Sequence, residues 1–190
     1  DNWDYYDQLQ ELVNGTVGDS RVPLGYTLMM FPSYWLSPDK SHDALVQPNA
    51  FFWAMVMFPL GVALLAWTCL RITKNHLISL ATCLVYVLLP LLYLAIFSPI
   101  YDPRMAEIFA IHSTWAQMLS DGPAAFLSLA TIALFFYTRE QDYPLTQIII
   151  IGLLIGYLTT LRSTGILVGT GIGLVLLADR RWTDIFWMGT

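Results

Sequence analysis

The chain of 190 residues is 56% hydrophobic and only 12% charged, and its formal net charge is -5 at pH 7. An ordinary soluble domain does not need so many apolar residues in continuous blocks, so the composition indicates helices that face lipid. The acidic balance argues against nucleic acid as a partner, because an acidic surface repels phosphate backbones.

The first long segment, residues 1–49, is polar and aromatic, and we expect it to lie at the surface of a membrane. Asp4 to Val13 favours a short helix that ends at Asn14-Gly15, a pair that commonly terminates helices. Tyr26 to Leu36 has the aromatic and methionine content of an interfacial helix, which Pro32 should interrupt. Residues 37–49 are polar and contain two prolines, so they are predicted to form a loop.

Five apolar blocks of membrane length or slightly less follow this segment. Basic residues resist translocation, so the connections that carry them should be cytoplasmic, and the acidic segments 1–49 and 98–122 should be extracytoplasmic. The blocks are Ala50–Leu70, Leu77–Phe97, Pro123–Tyr137, Leu145–Leu161 and Thr164–Ala178. The basic residues of the connections are Arg71, Lys74, Arg139, Arg180 and Arg181.

The sequence therefore predicts an all-α fold, a polytopic transmembrane helix bundle with amphipathic surface helices on its extracytoplasmic side. We expect residues 1–190 to be part of one membrane domain, with about five membrane helices in residues 50–190. An earlier span should carry the first segment across the membrane, since the chain begins without a methionine. The protein would be a multi-pass integral protein of the plasma, bacterial inner or endoplasmic reticulum membrane.

The second acidic segment, residues 98–122, contains one further predicted surface helix. Residues 104–119 place His112 and several apolar side chains on one face, which is typical of a helix lying along a membrane surface. His112 in such a position is more commonly a packed histidine than a metal ligand. The sequence Ser120-Asp121-Gly122-Pro123 then predicts the start of the next membrane helix, with a capping residue ahead of a proline.

Arg162 is the one charged residue in an apolar run from Leu145 to Ala178. As a straight helix this run would reach roughly 50 Å, against a hydrocarbon core of about 30 Å, so we expect the chain to turn near Arg162. Gly152, Gly156 and Gly165 in the same run should allow close helix packing.

Three stretches, which together cover about half of the chain, are similar to segments of one known family. DNWDYYDQLQELVNG with VPLGYTLMMFPSYWL resembles its first extracytoplasmic loop, LSDGPAAFLSLATIALFF its second acidic loop and the following helix, and IGLLIGYLTTLRSTGILV its glycine-rich hairpin. The family is the GT-C superfamily of membrane glycosyltransferases, here protein mannosyltransferase-like, whose donors are sugars on polyprenyl or dolichyl phosphate. The stretches follow the family's order.

The resemblance implies a glycosyltransferase that moves a hexose or pentose from a lipid-phosphate donor to an unidentified acceptor on the extracytoplasmic side. The family's first-loop carboxylate corresponds to Asp1 or Asp4, and its second-loop carboxylate corresponds to Asp121. Arg162 matches the arginine of the family's hairpin. The chain departs from the family pattern, since Asn2 follows Asp1 and the stretch from Pro99 to Asp121 is long. Both departures leave the metal dependence and the identity of the base open.

A sugar phosphate already carries a good leaving group, so the chemistry requires a base for the acceptor hydroxyl and a cation for the departing phosphate. Asp4 or Asp1 is the predicted base, Asp121 would position the acceptor or a metal, and Arg162 would bind the lipid phosphate. A divalent cation, Mg or Mn, would be held by Asp4 and Asp121 if the reaction uses one. Arg104 and Tyr5 are further predicted substrate-binding residues.

Two other classes of function remain as alternatives. A transporter or flippase module for a lipid-linked or small solute would place ionisable residues deep inside the spans, whereas the acids here lie outside the apolar blocks. A noncatalytic assembly subunit would need none of the proposed chemistry. In that case Asp121 is a helix cap and Tyr5 belongs to an aromatic belt at the membrane surface. Because the chain reads as a fragment, we also expect it to be incomplete for activity.

Overall fold

The computed structural model describes residues 2–16, 22–97 and 121–189, and every regular element in these ranges is helical. The all-α prediction is therefore confirmed for them. The predictions for Asp1, for Arg104 and for the surface helix at 104–119 lie outside the described residues. The helices are α1 (Asn2–Val13), α2 (Leu24–Leu36), α3 (His42–Phe52), α4 (Phe58–Thr73), α5 (His76–Phe97), α6 (Asp121–Glu140), α7 (Leu145–Leu161), α8 (Gly165–Ala178) and α9 (Trp182–Gly189).

Helices α4 to α8 pack side by side as a bundle with α9 laid against α7. α4 and α5 are antiparallel neighbours, since the Ser79 hydroxyl donates a hydrogen bond to the Ala66 carbonyl at 2.8 Å, and Cys83 Sγ lies 3.8 Å from the Val62 carbonyl. α6 packs against α4 on one side and α7 on the other, and α8 contacts both α6 and α7. The bundle therefore has two ends, each formed by the termini of several helices.

One end, which we call the basic end, contains the last turns of α4, α6 and α8. Arg139 donates two hydrogen bonds to the Asp179 carboxylate, at 2.8 and 2.9 Å, and Arg71 forms an ion pair with Glu140. The opposite end, which we call the tip end, contains the first turn of α6, the α7–α8 turn and the packed pair α1–α2. The basic connections thus meet at one end, as the charge pattern predicted.

The predicted turn at Arg162 is confirmed. α7 ends at Leu161, Arg162 is extended with φ -158° and ψ 134°, and α8 begins at Gly165. The Arg162 N–H still donates to the Leu158 carbonyl, at 2.9 Å. A Cβ at Gly165 would lie 2.8 Å from the backbone carbon of Leu158, so glycine allows α8 to leave close to the end of α7. This position confirms one of the three predicted packing glycines.

The predicted loop at 37–49 is wrong over its second half, where α3 runs from His42 through Pro48. Its polar residues serve the helix backbone instead of breaking it. The Ser41 hydroxyl accepts a hydrogen bond from the Ala44 N–H at 3.4 Å, and the Asn49 amide donates to the Leu45 carbonyl at 2.9 Å. A proline removes one backbone hydrogen bond, and the surrounding contacts outweigh that loss here.

The predicted interruption at Pro32 is also wrong, because α2 continues through it to Leu36. Pro32 removes the hydrogen bond to the carbonyl four residues earlier, that of Leu28. Tyr26, Met30 and Tyr34, the buried face of α2, pack in the core on both sides of the proline. Tertiary packing therefore keeps the helix whole.

α3 and α4 form one continuous helical rod, joined by a π-helical turn at Trp53–Met57. The first apolar block, predicted to begin at Ala50, therefore lies within a helix that begins at His42 and ends at Thr73. A π-turn inserts an extra residue into the helix and rotates the side chains that follow it. The rod crosses the predicted boundary between the loop segment and the membrane segment.

The predicted third block, Pro123–Tyr137, is longer in the structure, because α6 spans Asp121–Glu140. α9, Trp182–Gly189, was not predicted, since the last predicted apolar block ends at Ala178. A Cβ at Gly152 would lie 2.3 Å from the Met188 carbonyl oxygen, so glycine allows α9 to pack on α7. A Cβ at Gly156 would meet nothing within 4 Å among the residues that the structure describes, so these residues show no close packing at that glycine.

Within the described residues, two helical stretches are long and apolar enough to cross a membrane, Trp53–Thr73 with mean hydropathy 1.9 and Asp121–Glu140 with mean hydropathy 1.2. α7 and α8 are shorter apolar helices of 17 and 14 residues. Length and composition alone do not distinguish a membrane span from a core helix. The membrane location therefore belongs to the proposal below.

Candidate functional site

The side chains of Asp121 and Arg162 form an ion pair at the tip end. Asp121 begins α6 and Arg162 follows the last residue of α7, so the pair joins two helix termini that are distant in sequence. The two side chains are 37% and 45% exposed, respectively. A ligand arriving from solvent or from a membrane surface can therefore reach both charged groups.

Helix dipoles favour both charges where they lie. Asp121 lies in the first turn of α6, where the partial charge of the helix is positive, and Arg162 follows the negative end of α7. The helix predicted to start just after Asp121 is present, and it includes Asp121 in its first turn. Its role as a first-turn acid does not compete with the ion pair, because one carboxylate can serve both.

The ion pair itself contributes little to folding stability. A partly exposed pair of this kind is worth about 0–1 kcal/mol, since water solvates both charges nearly as well when they are apart. A guanidinium also has more N–H donors than one carboxylate can accept. Arg162 therefore keeps donors for a second anion while Asp121 holds its orientation.

α1 and α2 are fixed against the last turn of α7, beside Arg162. A Cβ at Gly25 would lie 2.8 Å from the Leu161 nitrogen and 2.7 Å from the Thr160 carbonyl carbon, so only glycine allows this approach. The Tyr157 hydroxyl donates a hydrogen bond to the Gly25 carbonyl at 2.8 Å. The close contact and the hydrogen bond together hold α2 on α7.

A hydrophobic cluster connects α1 to both residues of the ion pair. Tyr5 and Leu9 of α1 pack in one cluster with Ala124, three residues after Asp121, and with Leu161, which precedes Arg162. Leu9 and Leu161 are 0% exposed. The packing brings the first predicted loop next to the other two predicted segments.

Asp4 lies in the first turn of α1 and is partly buried, and its neighbour Tyr5 is in this cluster. The structure thus places Asp4 on the helix that packs at the tip end. Asp1, the other predicted base, lies outside the described residues, as does Arg104. The structure brings together Asp121 and Arg162 directly, and it places Asp4 in the first turn of α1, whose Tyr5 and Leu9 pack in the same cluster as Ala124 and Leu161.

The Tyr5 ring is 4% exposed and packs edge-on against Tyr26, with ring centroids 4.9 Å apart. Such burial is typical of a core residue, and it does not support the predicted contact of Tyr5 with substrate. Burial, with the neighbouring Tyr5 as a smaller cause, raises the pKa of the Tyr26 phenol well above its ordinary value. The Tyr26 phenol therefore stays neutral, and both rings serve packing.

A polar contact between α1 and α2 was missed by sequence reasoning. The Thr27 hydroxyl hydrogen-bonds the Gln8 side chain, whose amide nitrogen donates to the Val22 carbonyl at 3.3 Å. Thr27 is fully buried and Gln8 is 6% exposed. A buried polar group without a partner is costly, so this contact fixes the register of the two helices. Neither residue belongs to a sequence motif that would have indicated it.

The basic end carries a larger polar network, which sequence reasoning also missed. The Tyr143 hydroxyl donates to the Asp179 carboxylate at 2.5 Å, and the Arg181 guanidinium lies 4.8 Å from the centre of the Tyr143 ring. Hydrogen bonds from Tyr143 and then Arg139 hold the pKa of Asp179 below its ordinary value. Burial and the contact with Asp179 raise the pKa of Tyr143 to about 12. The network ties the end of α6 and the α6–α7 connection to the α8–α9 connection.

A metal site is not visible in the described part of the chain, where no group of three or more His, Cys, Asp or Glu side chains converges. The predicted ligands Asp4 and Asp121 lie on different helices, and Asp121 is paired with a guanidinium.

Comparison of the chain with protein-family models, with curated proteins and with solved structures finds no match. The resemblance therefore rests on the three sequence stretches alone.

Proposed function

We propose that the chain is part of a membrane glycosyltransferase, GT-C-like in fold, that transfers a sugar from a polyprenyl-phosphate donor to an acceptor at the extracytoplasmic surface. The observation that supports the proposal most is the ion pair between Asp121 and Arg162. The resemblance assigns both residues to one site of the family. Two distant helix ends meet at that pair.

The proposed reaction is a displacement at the anomeric carbon of the donor sugar. The acceptor oxygen forms a bond to that carbon as the bond from the carbon to the phosphate oxygen breaks, and the electron pair leaves with the phosphate. Asp4 or Asp1 takes the proton of the acceptor hydroxyl as general base. Arg162 donates hydrogen bonds to the phosphate as its negative charge grows, and Asp121 orients the guanidinium.

The proposed membrane placement is supported by the surface of the bundle. Large apolar side chains in three different helices are exposed, among them Leu77 at 76%, Leu167 at 72% and Leu153 at 69%. Exposed apolar residues of this size across several neighbouring helices are typical of a surface that contacts lipid. The basic end would then be cytoplasmic, and the tip end would lie at the extracytoplasmic surface, where a lipid-linked phosphate is exposed.

The transporter alternative receives no comparable support. Residues 122–138, 145–161 and 163–178 contain no Asp, Glu, Lys, Arg or His. A translocation path for a charged lipid phosphate would favour ionisable residues inside these helices. The charged residues instead lie at helix ends, where an interfacial reaction takes place.

The test uses the intact protein in membranes with a radiolabelled polyprenyl-phosphate sugar, and it measures label in a new glycosidic bond. We expect Arg162→Gln to lower the turnover number about 100- to 1,000-fold, the loss typical of removing one preorganised charge-stabilising donor. Asp121→Asn should cost less, since it removes the partner that orients the guanidinium. Asp4→Asn and Asp1→Asn together identify the base.

Arg180→Gln is the matched control, because Arg180 is an exposed arginine in the α8–α9 connection, far from the ion pair. Its turnover should equal that of the unchanged protein. Equal turnover in Arg162→Gln would remove Arg162 from the mechanism. Label that crosses sealed vesicles without forming a glycosidic bond would establish the transporter class instead.

Metal dependence can be tested in the same assay. Arg162 already supplies a positive charge to Asp121, so we expect a chelator of divalent cations to leave turnover unchanged. A loss of turnover that Mg or Mn restores would instead assign a metal to Asp4 and Asp121. The chelator control is the same assay with the chelator saturated by calcium.

A further inference from the structure

The basic end contains a charged cavity of about 340 Å³ between the last turns of α4 and α6. Three cations and one carboxylate line it, together with two apolar side chains. The lining residues are Arg71, Ile72, Lys74, Phe136, Arg139 and Glu140. A cavity with this balance of charge favours an anion.

The positive charge in the cavity is only partly neutralised by the protein. Arg71 pairs with Glu140 and Arg139 pairs with Asp179, and the two side chains of the first pair are 40% and 41% exposed. Lys74 has no carboxylate partner among the residues that the structure describes. It lies at the C-terminus of α4 in a left-handed conformation, with φ 53°. Its ammonium group therefore remains available to an anion.

An apolar cavity of about 350 Å³ adjoins the charged one, between α6 and α8. Phe136 lines both cavities, so the two lie next to each other with this side chain between them. The apolar cavity extends along α8 from Val175 to Leu167, a distance of about 12 Å at the rise of a helix. We call the two cavities together the groove. Its charged part suits the headgroup of an anionic phospholipid, and its apolar part suits an acyl chain.

We infer that this groove binds an anionic phospholipid, with its phosphate near Arg71, Lys74 and Arg139 and an acyl chain along Phe136 toward Gly171. Basic pockets between helices at the cytoplasmic side are suited to anionic headgroups. Inorganic phosphate would occupy only the charged part, and a zwitterionic lipid would lack the net negative charge. The site lies at the opposite end of the bundle from Asp121 and Arg162, so it does not depend on glycosyl transfer.

The test uses the intact protein in a nonionic detergent and measures the midpoint of thermal unfolding during titration with lipid. We expect dioleoyl phosphatidylglycerol to raise the midpoint in a saturable way, since a ligand that binds the folded state stabilises it. Dioleoyl phosphatidylcholine and inorganic phosphate, used as separate probes, should each leave it unchanged. An equal rise with either of them would overturn the inference.

Lys74→Gln tests the headgroup contact, and it is compared with Arg180→Gln, which removes one charge at the same end outside the cavity. We expect Lys74→Gln to weaken phosphatidylglycerol binding about fivefold, because one basic residue contributes about 1 kcal/mol to the attraction of an anionic headgroup. Arg180→Gln should have a smaller effect. Equal effects of the two variants would mean general charge attraction, and would overturn the site. Lys74 is exposed, so its replacement does not threaten folding.

Gly171→Leu tests the acyl-chain contact, and Gly173→Leu on the same helix is its matched control. A Cβ at either glycine meets nothing within 4 Å, but only Gly171 lines the apolar cavity. We expect Gly171→Leu to weaken phosphatidylglycerol binding and Gly173→Leu to leave it unchanged. Equal binding in both variants would show that the apolar cavity is not used.

Discussion

The two ends of the bundle both bring charges together, but different forces hold those charges. At the basic end, Arg139, Tyr143 and Asp179 hydrogen-bond one another directly, so the polar groups themselves tie the connections together. At the tip end, apolar packing around α1, α2 and α7 positions a single ion pair. The comparison teaches that hydrogen bonds between polar side chains hold the connections at the basic end, whereas apolar packing holds the tip end and leaves both members of its ion pair partly exposed.

The two ends are held by different forces because different kinds of segments meet there. The basic end joins the α6–α7 and α8–α9 connections, whose polar groups hydrogen-bond one another. The tip end joins helix termini through α1–α2, whose buried face is apolar and aromatic. Predictions from this comparison are ordered by the size of the expected effect.

The largest effect is expected from Gly25→Ala at the tip end. The added Cβ would meet the backbone of Thr160 and Leu161 at 2.7 and 2.8 Å, and neither backbone atom can move without shifting α7. Overpacking of this kind costs about 1–3 kcal/mol. The free energy of unfolding, from denaturant titration in detergent, measures the loss.

Gly156→Ala is the matched control for this change, since a Cβ at Gly156 meets no atom within 4 Å. It should stabilise the protein by about 0.5–1 kcal/mol, the difference in helix propensity between glycine and alanine. If Gly25→Ala unfolds at the same denaturant concentration as Gly156→Ala, the close contact of α2 with α7 is wrong.

An intermediate effect is expected from Asp179 at the basic end. Hydrogen bonds from Tyr143 and Arg139 lower its pKa, so its contribution to stability is full above its ordinary value of 3.8 and is lost as the pH falls through the lowered pKa. Asp179→Asn should therefore lower the unfolding midpoint at neutral pH and reduce its fall on acidification.

Tyr143→Phe sharpens this test, because it removes only the hydrogen bond from the phenol to Asp179. The loss of stability on acidification should then be smaller and should end at a higher pH than in the unchanged protein, because the pKa of Asp179 is lowered less. A pH profile of the unfolding midpoint, recorded from neutral pH down to pH 3, separates the three proteins. Identical profiles for all three would contradict a role of the Asp179 network in stability.

The smallest effect on stability is expected from Asp121→Asn at the tip end. Its ion pair with Arg162 is partly exposed, and such pairs contribute about 0–1 kcal/mol. Thermal unfolding of Asp121→Asn, Arg162→Gln and the double variant gives the coupling energy of the pair. A coupling energy comparable to the effect of Gly25→Ala would mean that the pair holds the tip end together, contrary to the comparison above.

Two features of the tip end could be predicted from the sequence, the turn at Arg162 and the beginning of α6 near Asp121. A charge inside a long apolar run must reach a polar surface, which is why Arg162 indicated the turn that the structure contains. Capping and proline signals likewise indicated the start of α6 at Asp121. That these two residues belong to one site came from the family resemblance rather than from either pattern.

Other elements depend on contacts that no local pattern reveals. α9 has only eight residues, and it packs on α7 because Gly152 leaves room for the Met188 carbonyl. α3 continues through Pro48 because tertiary packing outweighs the loss of one hydrogen bond. Local propensity is a weak guide where distant residues supply the decisive contacts.

The continuous rod of α3, the π-helical turn and α4 determines how far α1 and α2 lie from α4 along the bundle axis. A straight α-helix from His42 to Thr73 would be about 48 Å long, well beyond the roughly 30 Å of hydrocarbon in a bilayer. If α4 is embedded, α3 must stand clear of the lipid tails and carry Leu45, which packs with Tyr5 and Tyr26, to that level. The length of the α3–α4 rod would then hold α1 and α2 at the depth of the lipid headgroups.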